Sequence, residues 1–227
     1  MRRKIEVKRM VRFLSLLVVV VFITAAVSAE KNPADSLRTL MEGNTRYVSG
    51  QPSQKESGEA YRKELAKGQQ PYAVVVACSD SRVAPEVIFD EGLGRIFVIR
   101  TAGNVVDPIA LGSIEYAVEH LHAPLVVVLG HESCGAVKAT VDSKGKPEGN
   151  IGAIIKKIMP AVESARASLK SGEDLAYAST IQNVKNVAHE ITKKSKIIAK
   201  EAHEGKVKVV GAFYSISTGK VEAVEVN

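Results

Sequence analysis

The sequence lacks several features that would place it in a common functional class. No segment has the G-x-G-x-x-G or Walker pattern of a phosphate-binding loop, and the turn "RTAGN", which contains Gly103, is better explained as a strand exit. The chain has no internal repeat of the kind that builds solenoids or propellers. Tryptophan is absent, and the 2 cysteines allow at most one disulfide. What is left is a globular chain whose two thiols need an explanation.

Excess positive charge is missing from most of the chain, although the formal total is +6 at neutral pH. The first 29 residues hold six basic side chains and one acid, so they account for +5 and leave about +1 for the rest. The residues concerned are Arg2, Arg3, Lys4, Lys8, Arg9, Arg12 and Glu6. Because a nucleic-acid-binding protein carries its basic patch on the folded domain, we expect no nucleic-acid partner.

A transmembrane run of full length is also lacking. The apolar stretch "FLSLLVVVVFITAAV" has about fifteen residues, whereas a helix that spans a bilayer needs about 20. It follows a basic segment and ends at the small residues Val27 and Ala29, which is the layout of a secretory signal peptide. We therefore expect residues 1–29 to be cleaved before Glu30, with a retained membrane anchor as the alternative. Residues 30–227 would then be periplasmic or secreted, without a membrane span.

Four short apolar runs rich in valine and isoleucine indicate strands that are buried on both faces of a parallel sheet. They are Tyr72–Ala77, Arg95–Ile99, Leu125–Leu129 and Val207–Phe213. Helical patterns separate these runs, and such alternation predicts a single α/β domain over residues 30–227 with an N-terminal helix. The main predicted helices are Pro33–Val48 (capped by Asp35 or Ser36), Ala110–His120, Ile151–Leu169 and Thr180–Glu204. A turn at Thr218-Gly219 predicts a final antiparallel edge strand.

Chemically distinctive side chains follow the ends of the first and third predicted strands. The segment "ACSDSR" closes one strand with Cys78 and Asp80, and "LGHESCGA" closes the other with His131 and Cys134. Because ligands gather at the carboxyl ends of parallel strands, these side chains meet if the two strands are neighbours. Two thiolates and an imidazole suit zinc. Spacing alone leaves three alternatives: a catalytic zinc with an open position, a structural zinc with Asp80 as fourth ligand, and a disulfide.

Longer motifs around these residues resemble those of the β-class carbonic anhydrases. In chain order the segments are "CSDSRVAPEVIFD", "FVIRTAGN", "SIEYAVEHL", "VVLGHESCGAV" and the hairpin "STGK". The resemblance extends over essentially the whole mature chain. It implies an α/β fold with a mainly parallel four-stranded sheet flanked by helices and an added antiparallel edge strand. It also implies a homodimer, or a homotetramer of paired dimers, in which the N-terminal helix lies over the partner subunit.

By this resemblance the chain is an enzyme that hydrates CO2 reversibly to bicarbonate and a proton. Cys78, His131 and Cys134 would hold Zn2+, and a zinc-bound hydroxide would attack CO2. Asp80 would orient the hydroxide, while Arg82 holds the carboxylate away from the metal. If Arg82 released it, Asp80 would become the fourth ligand and close the site.

The resemblance also assigns residues to the substrate pocket, which should be mostly apolar because CO2 is small and neutral. The pocket positions map onto Gln69, Phe97, Ala102 and Tyr116, together with the backbone N–H of Gly135 as a donor to bicarbonate. Ala102 is smaller than the branched residue found in plant members of the family, so the pocket is expected to be roomier.

A gating arrangement in the family maps onto Val83, Glu86 and Arg100. In members whose aspartate closes onto zinc, such an acid and arginine lie beside a non-catalytic bicarbonate pocket that includes tryptophan. This chain has no tryptophan. We therefore expect modest pH gating of the activity.

Two other functions are consistent with the sequence. A hydrolase of carbon disulfide or carbonyl sulfide would use the same scaffold and metal ligands and would differ in access to the pocket. A non-catalytic zinc-binding or disulfide-stapled module would need the two cysteines but not the pair Asp80 and Arg82. The presence of that pair favours catalysis.

Overall fold

A five-stranded sheet forms the centre of the protein in the computed structural model, which describes residues 32–143 and 149–226. The strands are β1 (Ala73–Cys78), β2 (Ile96–Thr101), β3 (Leu125–His131), β4 (Lys208–Tyr214) and β5 (Val221–Val224). Their order in the sheet is β2-β1-β3-β4-β5, and only the β4–β5 pair is antiparallel. The predicted α/β architecture with an antiparallel edge strand is thus confirmed. The predicted signal peptide at residues 1–29 lies outside the described residues.

The four parallel strands run one or two residues further toward the C-terminus than the apolar runs predicted. Backbone pairing continues past the last aliphatic side chain, since Cys78 pairs with Thr101 and His131 pairs with Tyr214. The apolar pattern marks burial, whereas the ladder of hydrogen bonds decides where a strand ends. Both predicted ligands at strand ends therefore belong to the sheet itself.

Helices flank the sheet and connect its strands. They are α1 (Pro33–Val48), α2 (Glu59–Leu65), α3 (Pro85–Ile88), α4 (Pro108–Glu119), α5 (Gly135–Val141), α6 (Ile151–Ser168), α7 (Leu175–Lys194) and α8 (Lys196–His203). None of the helices in the described part of the chain is both long and apolar enough to cross a membrane.

Two details of the predicted helices were wrong. The cap of α1 is Asn32, whose side chain accepts a 2.8 Å hydrogen bond from the backbone N–H of Asp35, because Pro33 already occupies the first helical position. The helix predicted over 180–204 is broken at Ser195, which has extended backbone angles. The hydroxyl of Ser195 accepts from the N–H of Ile198 at 3.1 Å and starts α8, a capping role that apolar periodicity does not reveal.

Both faces of the sheet are covered, as the continuous apolar runs predicted. Every residue of β1 and of β3 is buried. On one face the core includes Ile114 from α4 and Ile191 from α7, and on the other it includes Leu40 from α1 together with Ile88 and Phe89. The N-terminal helix therefore packs one face on its own sheet, while its opposite face is exposed at Arg38.

A buried carboxylate anchors the segment between α1 and α2. The Asp90 side chain is 4% exposed and accepts hydrogen bonds from Arg46 Nε at 2.6 Å, Ser53 N at 3.0 Å and Ser53 Oγ at 2.8 Å, and Lys55 Nζ lies 2.7 Å from its other oxygen. Burial opposes ionisation of Asp90, but the bonds from Lys55, Arg46 and Ser53 outweigh it and lower its pKa below the usual value. The charged form of Asp90 therefore stabilises the fold.

We expect Asp90→Asn to lower the free energy of unfolding by about 2 kcal/mol at pH 7, because it removes a charged acceptor from several donors. Asparagine tolerates the positive φ of 49° at this position, so the change tests the charge rather than the backbone. Thermal or chemical unfolding measures the difference, with the exposed Glu222→Gln as the control. Equal stability of the two variants would contradict the anchoring role.

The difference in stability between the wild type and Asp90→Asn should also depend on pH. Since the pKa of Asp90 is lower in the folded chain than in the unfolded one, its stabilisation is complete above the unfolded value of about 3.9. It is lost as the pH falls through that value toward the folded pKa. The stability gap between the wild type and Asp90→Asn should therefore narrow below about pH 4.

Candidate metal centre

Three potential metal ligands come together at the carboxyl edge of the sheet. Cys78 is the last residue of β1, His131 is the last residue of β3, and Cys134 directly precedes α5. β1 and β3 are adjacent and parallel, so their ends lie side by side. One ligand atom from each residue lies within 4.8 Å of the others, and all three residues are buried. The structure thus brings together the three ligands that the sequence predicted.

A sharp turn between His131 and Cys134 directs both side chains to the same point. Ser133 lies in the left-handed region with φ of 54°, which is unfavourable for a residue with a side chain. The chain reverses at this residue, and α5 begins immediately after Cys134. In this structure the short spacing H-x-x-C brings two ligands together through this turn.

The imidazole of His131 is oriented as a metal ligand requires. Its Nδ1 lies 2.9 Å from the carbonyl oxygen of Glu132, which can only accept, so Nδ1 carries the proton. Nε2 is therefore the unprotonated nitrogen, and it is buried without a hydrogen-bond partner among the described residues. A buried acceptor without a partner is costly unless something binds it.

The two cysteines are free thiols, so the disulfide alternative does not describe this structure. The hydrogen bond from Cys134, which outweighs burial, lowers the pKa of Cys78 to about 4, and the same interaction together with burial raises the pKa of Cys134. The backbone N–H of Gly103 also donates to the Cys78 sulfur at 3.2 Å. Two neighbouring thiolates would need a bound cation to balance their negative charge.

These residues fit a zinc ion. Zinc favours a tetrahedral set of cysteine and histidine ligands, with neighbouring ligand atoms about 3.6 to 3.8 Å apart, which is compatible with the 4.8 Å limit on this group. A zinc ion held by these three residues would have one position left for water, as in catalytic rather than structural zinc sites.

Asp80 lies beside this group but is held by Arg82. Arg82 Nε donates to Asp80 Oδ1 at 2.9 Å and Nη2 donates to Oδ2 at 2.7 Å, a bidentate pair, while the Arg82 backbone N–H donates to Oδ1 at 3.0 Å. Arg82 holds the pKa of Asp80 well below its usual value. The carboxylate is paired with Arg82 and lies outside the group Cys78, His131 and Cys134 in the described structure, and an open rather than closed metal site stays a prediction.

The residues assigned to gating have mixed surroundings. Arg100 donates to two backbone carbonyls, that of Cys78 at 3.0 Å and that of Asp80 at 2.6 Å. Val83 is fully buried, whereas Glu86 is exposed and forms no ion pair with Arg100 in the described structure. Arg100 therefore steadies the backbone of the strand exit, and its role in gating stays a prediction.

The residues assigned to the substrate pocket divide between opposite ends of the sheet. Ala102 directly follows β2 and Gly135 directly follows Cys134, so both lie at the metal edge. Gln69 precedes β1, and the second residue of β2, Phe97, contacts Tyr116 with 6.3 Å between ring centroids. These three lie toward the amino edge. The strand β1 has 6 residues, so the two edges are about 20 Å apart.

Sequence reasoning missed two contributors to this site. Gly103 was interpreted only as part of a strand exit, yet its N–H contacts a ligand sulfur. Glu132 received no role, yet its carboxylate accepts three hydrogen bonds from the segment after β4. The positive φ of Gly103 marks it once the structure is known, but nothing local in the sequence identifies the partners of Glu132.

Comparison with known proteins supports this interpretation of the site. The family model described as carbonic anhydrase matches residues 73–221. A carbonic anhydrase of Mycolicibacterium smegmatis is 42% identical over 194 residues, which cover 84% of this chain and 93% of that protein. Carbonic anhydrase 2 of Mycobacterium tuberculosis is 39% identical over 192 residues, covering 83% of this chain and 91% of that protein. The solved structure of a Coccomyxa β-carbonic anhydrase in complex with acetazolamide has a TM-score of 0.67 and 28% identity, covering 83% of this chain and 86% of that one.

We expect purified wild-type protein to contain about one zinc per chain and Cys134→Ala to contain almost none, since two remaining ligands do not form a stable site. Elemental analysis measures the metal, and circular dichroism verifies that the variant folds. The exposed Asp142→Asn, just after α5, is the matched control and should retain zinc. A wild-type sample with a Cys78–Cys134 disulfide and no metal would contradict the assignment.

Proposed function

The chain belongs to the β-carbonic anhydrase family, and we propose that it catalyses the reversible hydration of CO2 to bicarbonate and a proton. The observation that carries this proposal is the bidentate pair of Asp80 and Arg82 beside the group Cys78, His131 and Cys134. A structural metal site does not require an ionised carboxylate that lies beside the ligands without binding the metal. A site that activates and orients water does require such a carboxylate.

The ligand group supplies the means of activation. Zinc held by Cys78, His131 and Cys134 would act as a Lewis acid that lowers the pKa of water toward neutrality, a behaviour for which carbonic anhydrases are the standard example. The protein contributes the donors, a buried surrounding and the Nδ1 bond that fixes the His131 ring.

Asp80 has the properties of an orienting acceptor. Its depressed pKa keeps it ionised, so it can accept a hydrogen bond from the nucleophilic water but cannot donate one. Arg82 donates two hydrogen bonds to Oδ1 and one to Oδ2, so a lone pair of Oδ2 remains available to accept from the nucleophile. A nucleophile held in this way presents its own lone pair to CO2 rather than an O–H bond.

The substrate surroundings at the metal edge come from Ala102 and Gly135. Ala102 offers a small apolar wall, which suits a neutral linear molecule. Gly135 is the first residue of α5, and the N–H groups of a first helical turn have no acceptor within the helix. The Gly135 N–H is therefore suited to donate a hydrogen bond to the product oxygen on which negative charge develops.

A second copy of the chain would complete the pocket. Gln69 precedes β1, and Phe97 pairs with Val74, four residues before the end of β1, so these two residues and Tyr116, which contacts Phe97, lie about 13 Å or more from the metal edge along the strand direction. β2 is an edge strand, and Tyr116, which contacts Phe97, is 48% exposed. We infer a homodimer in which these three residues of one copy face the metal edge of the other.

Export is part of the proposal. The basic and apolar leader of residues 1–29 supports a periplasmic or secreted location after cleavage. In such a location the two thiols would be prone to oxidation. Bound zinc would protect them, because both sulfurs would be metal ligands.

The direct test is stopped-flow CO2 hydration across pH on protein of known zinc content. We expect zinc-dependent proton release that acetazolamide, seen bound to the Coccomyxa β-carbonic anhydrase, inhibits. A parallel assay measures sulfide release from CS2. A zinc-loaded protein that releases sulfide but does not accelerate CO2 hydration would establish the hydrolase alternative instead, and one that does neither would indicate a non-catalytic zinc module.

We expect Asp80→Asn to retain zinc and to lose at least about 100-fold in kcat/KM, because the amide is a weaker acceptor and no longer pairs with Arg82. Zinc content and stopped-flow rates are measured on the same sample. Asp142→Asn serves as the control for a nearby exposed charge. Full activity of Asp80→Asn would exclude the orienting role.

Mixing two inactive variants tests the shared pocket. Cys134→Ala lacks the metal and Gln69→Ala lacks the pocket amide, so we expect each homodimer to be impaired. In a hybrid, one site combines the intact ligands of one copy with Gln69 of the other. Unfolding and refolding the mixture should restore about a quarter of the wild-type activity if pairing is random. If the mixed sample is no more active than the sum of the two separate variants, Gln69 serves either the site of its own chain or no site at all.

A further inference from the structure

The carboxylate of Glu132 connects the metal-binding turn to a distant part of the chain. Its Oε2 accepts from Ser215 Oγ at 3.0 Å, from Ser217 N at 2.9 Å and from Ser217 Oγ at 3.0 Å. The backbone N–H of Glu132 donates to the carbonyl of Tyr214 at 2.9 Å. Glu132 thus binds the end of β4 and the following turn through both its backbone and its side chain.

The segment that Glu132 contacts is itself firmly held. Ser215 N donates to Lys220 O at 2.9 Å and Gly219 N donates to Ser215 O at 2.9 Å, which closes the hairpin between β4 and β5. The buried Asn44 of α1 then donates to Gly219 O at 2.9 Å and to Ile88 O at 3.1 Å. The hairpin is therefore a fixed support rather than a loose loop.

The turn that Glu132 supports needs such a support. Ser133 has a left-handed conformation that its side chain disfavours, and it separates the two ligands His131 and Cys134. On its other side the carbonyl of Ser133 receives only a long bond, 3.4 Å, from Arg82 Nη2. Glu132 is also the residue whose carbonyl oxygen fixes the His131 ring at 2.9 Å. The hydrogen bonds of the Glu132 side chain therefore influence the orientation of the ligand His131.

We propose that Glu132 is a positioning residue, which holds the turn His131–Cys134 in its metal-binding shape by anchoring it to Ser215 and Ser217. This inference rests on the proposed zinc site but not on the identity of the substrate. A carboxylate suits the role because three donors converge on one of its oxygens, and charge-assisted bonds are stronger than neutral ones. Loss of the anchor lets the turn relax and changes the position of His131 relative to Cys78.

The test compares Glu132→Ala with Glu222→Ala, a change to an exposed acid on the same hairpin. Zinc affinity is measured by competition with a chromophoric chelator, and we expect Glu132→Ala to bind about 10- to 100-fold more weakly than the wild type, while Glu222→Ala binds normally. Glu132→Gln keeps an acceptor oxygen without the charge and should recover part of the loss.

A second measurement separates positioning from a general loss of stability. The absorption spectrum of the Co2+-substituted protein reports ligand geometry, and we expect a shifted or weakened ligand-field band in Glu132→Ala but not in Glu222→Ala. The double variant Ser215→Ala and Ser217→Ala removes both hydroxyl donors and leaves Glu132 in place. It should change zinc affinity and spectrum in the same direction, and it provides the test if Glu132→Ala does not fold.

The outcomes are distinct from those of the proposed function. If the wild type binds no zinc, the metal site itself is wrong. If the wild type binds zinc and the Glu132 and serine variants match it in affinity and cobalt spectrum, the positioning role is wrong and the site stands. If these variants lose thermal stability in the metal-free state without any change in affinity or spectrum, Glu132 only stabilises the hairpin, which also overturns the proposal.

Discussion

The parallel pairing of β1 with β3 is the constraint on which the metal centre depends. It places the ends of two strands that are far apart in sequence at one edge of the sheet, with Val76 opposite Val128 and Ala77 opposite Leu129. Every side chain of both strands is buried, and a fully buried valine or leucine contributes about 1.5 to 3 kcal/mol. This apolar core can outweigh the cost of keeping two thiols and an imidazole away from water.

The site balances opposing electrostatic demands. Two thiolates donate electron density to a metal and so weaken its ability to acidify water, yet they also bind it tightly. The N–H of Gly103 donates a hydrogen bond to the Cys78 sulfur and so reduces the electron density that this sulfur can give to a metal. The ionised Asp80 adds a third negative charge close by, which Arg82 compensates. Cys78 and Asp80 thus each have a specific partner, and in the proposed mechanism the carboxylate would serve as an acceptor without becoming a ligand.

The sequence predicted those features that depend on local pattern or on a motif. Apolar runs located the four parallel strands to within two residues, and the order of strands and helices predicted the α/β class. Cys78, His131 and Cys134 were found because a strand end and a tight turn both leave a mark in the sequence. The break at Ser195 was missed because apolar periodicity continues through it. The separation of Gln69, which precedes β1, from Ala102, which follows β2, was not predicted, because the family resemblance assigned both residues to one pocket.

The contacts of Glu132 show why the rest of the site could not be found locally. Its partners Ser215 and Ser217 follow β4, and that hairpin is held in turn by Asn44 near the N-terminus of the described chain. Ligand geometry is therefore set by segments from the beginning, middle and end of the domain. A motif such as H-x-x-C specifies which atoms can bind a metal, but the angle at which they meet is a property of the completed fold. The geometry with which Cys78, His131 and Cys134 meet therefore depends on contacts between segments that are distant in the sequence.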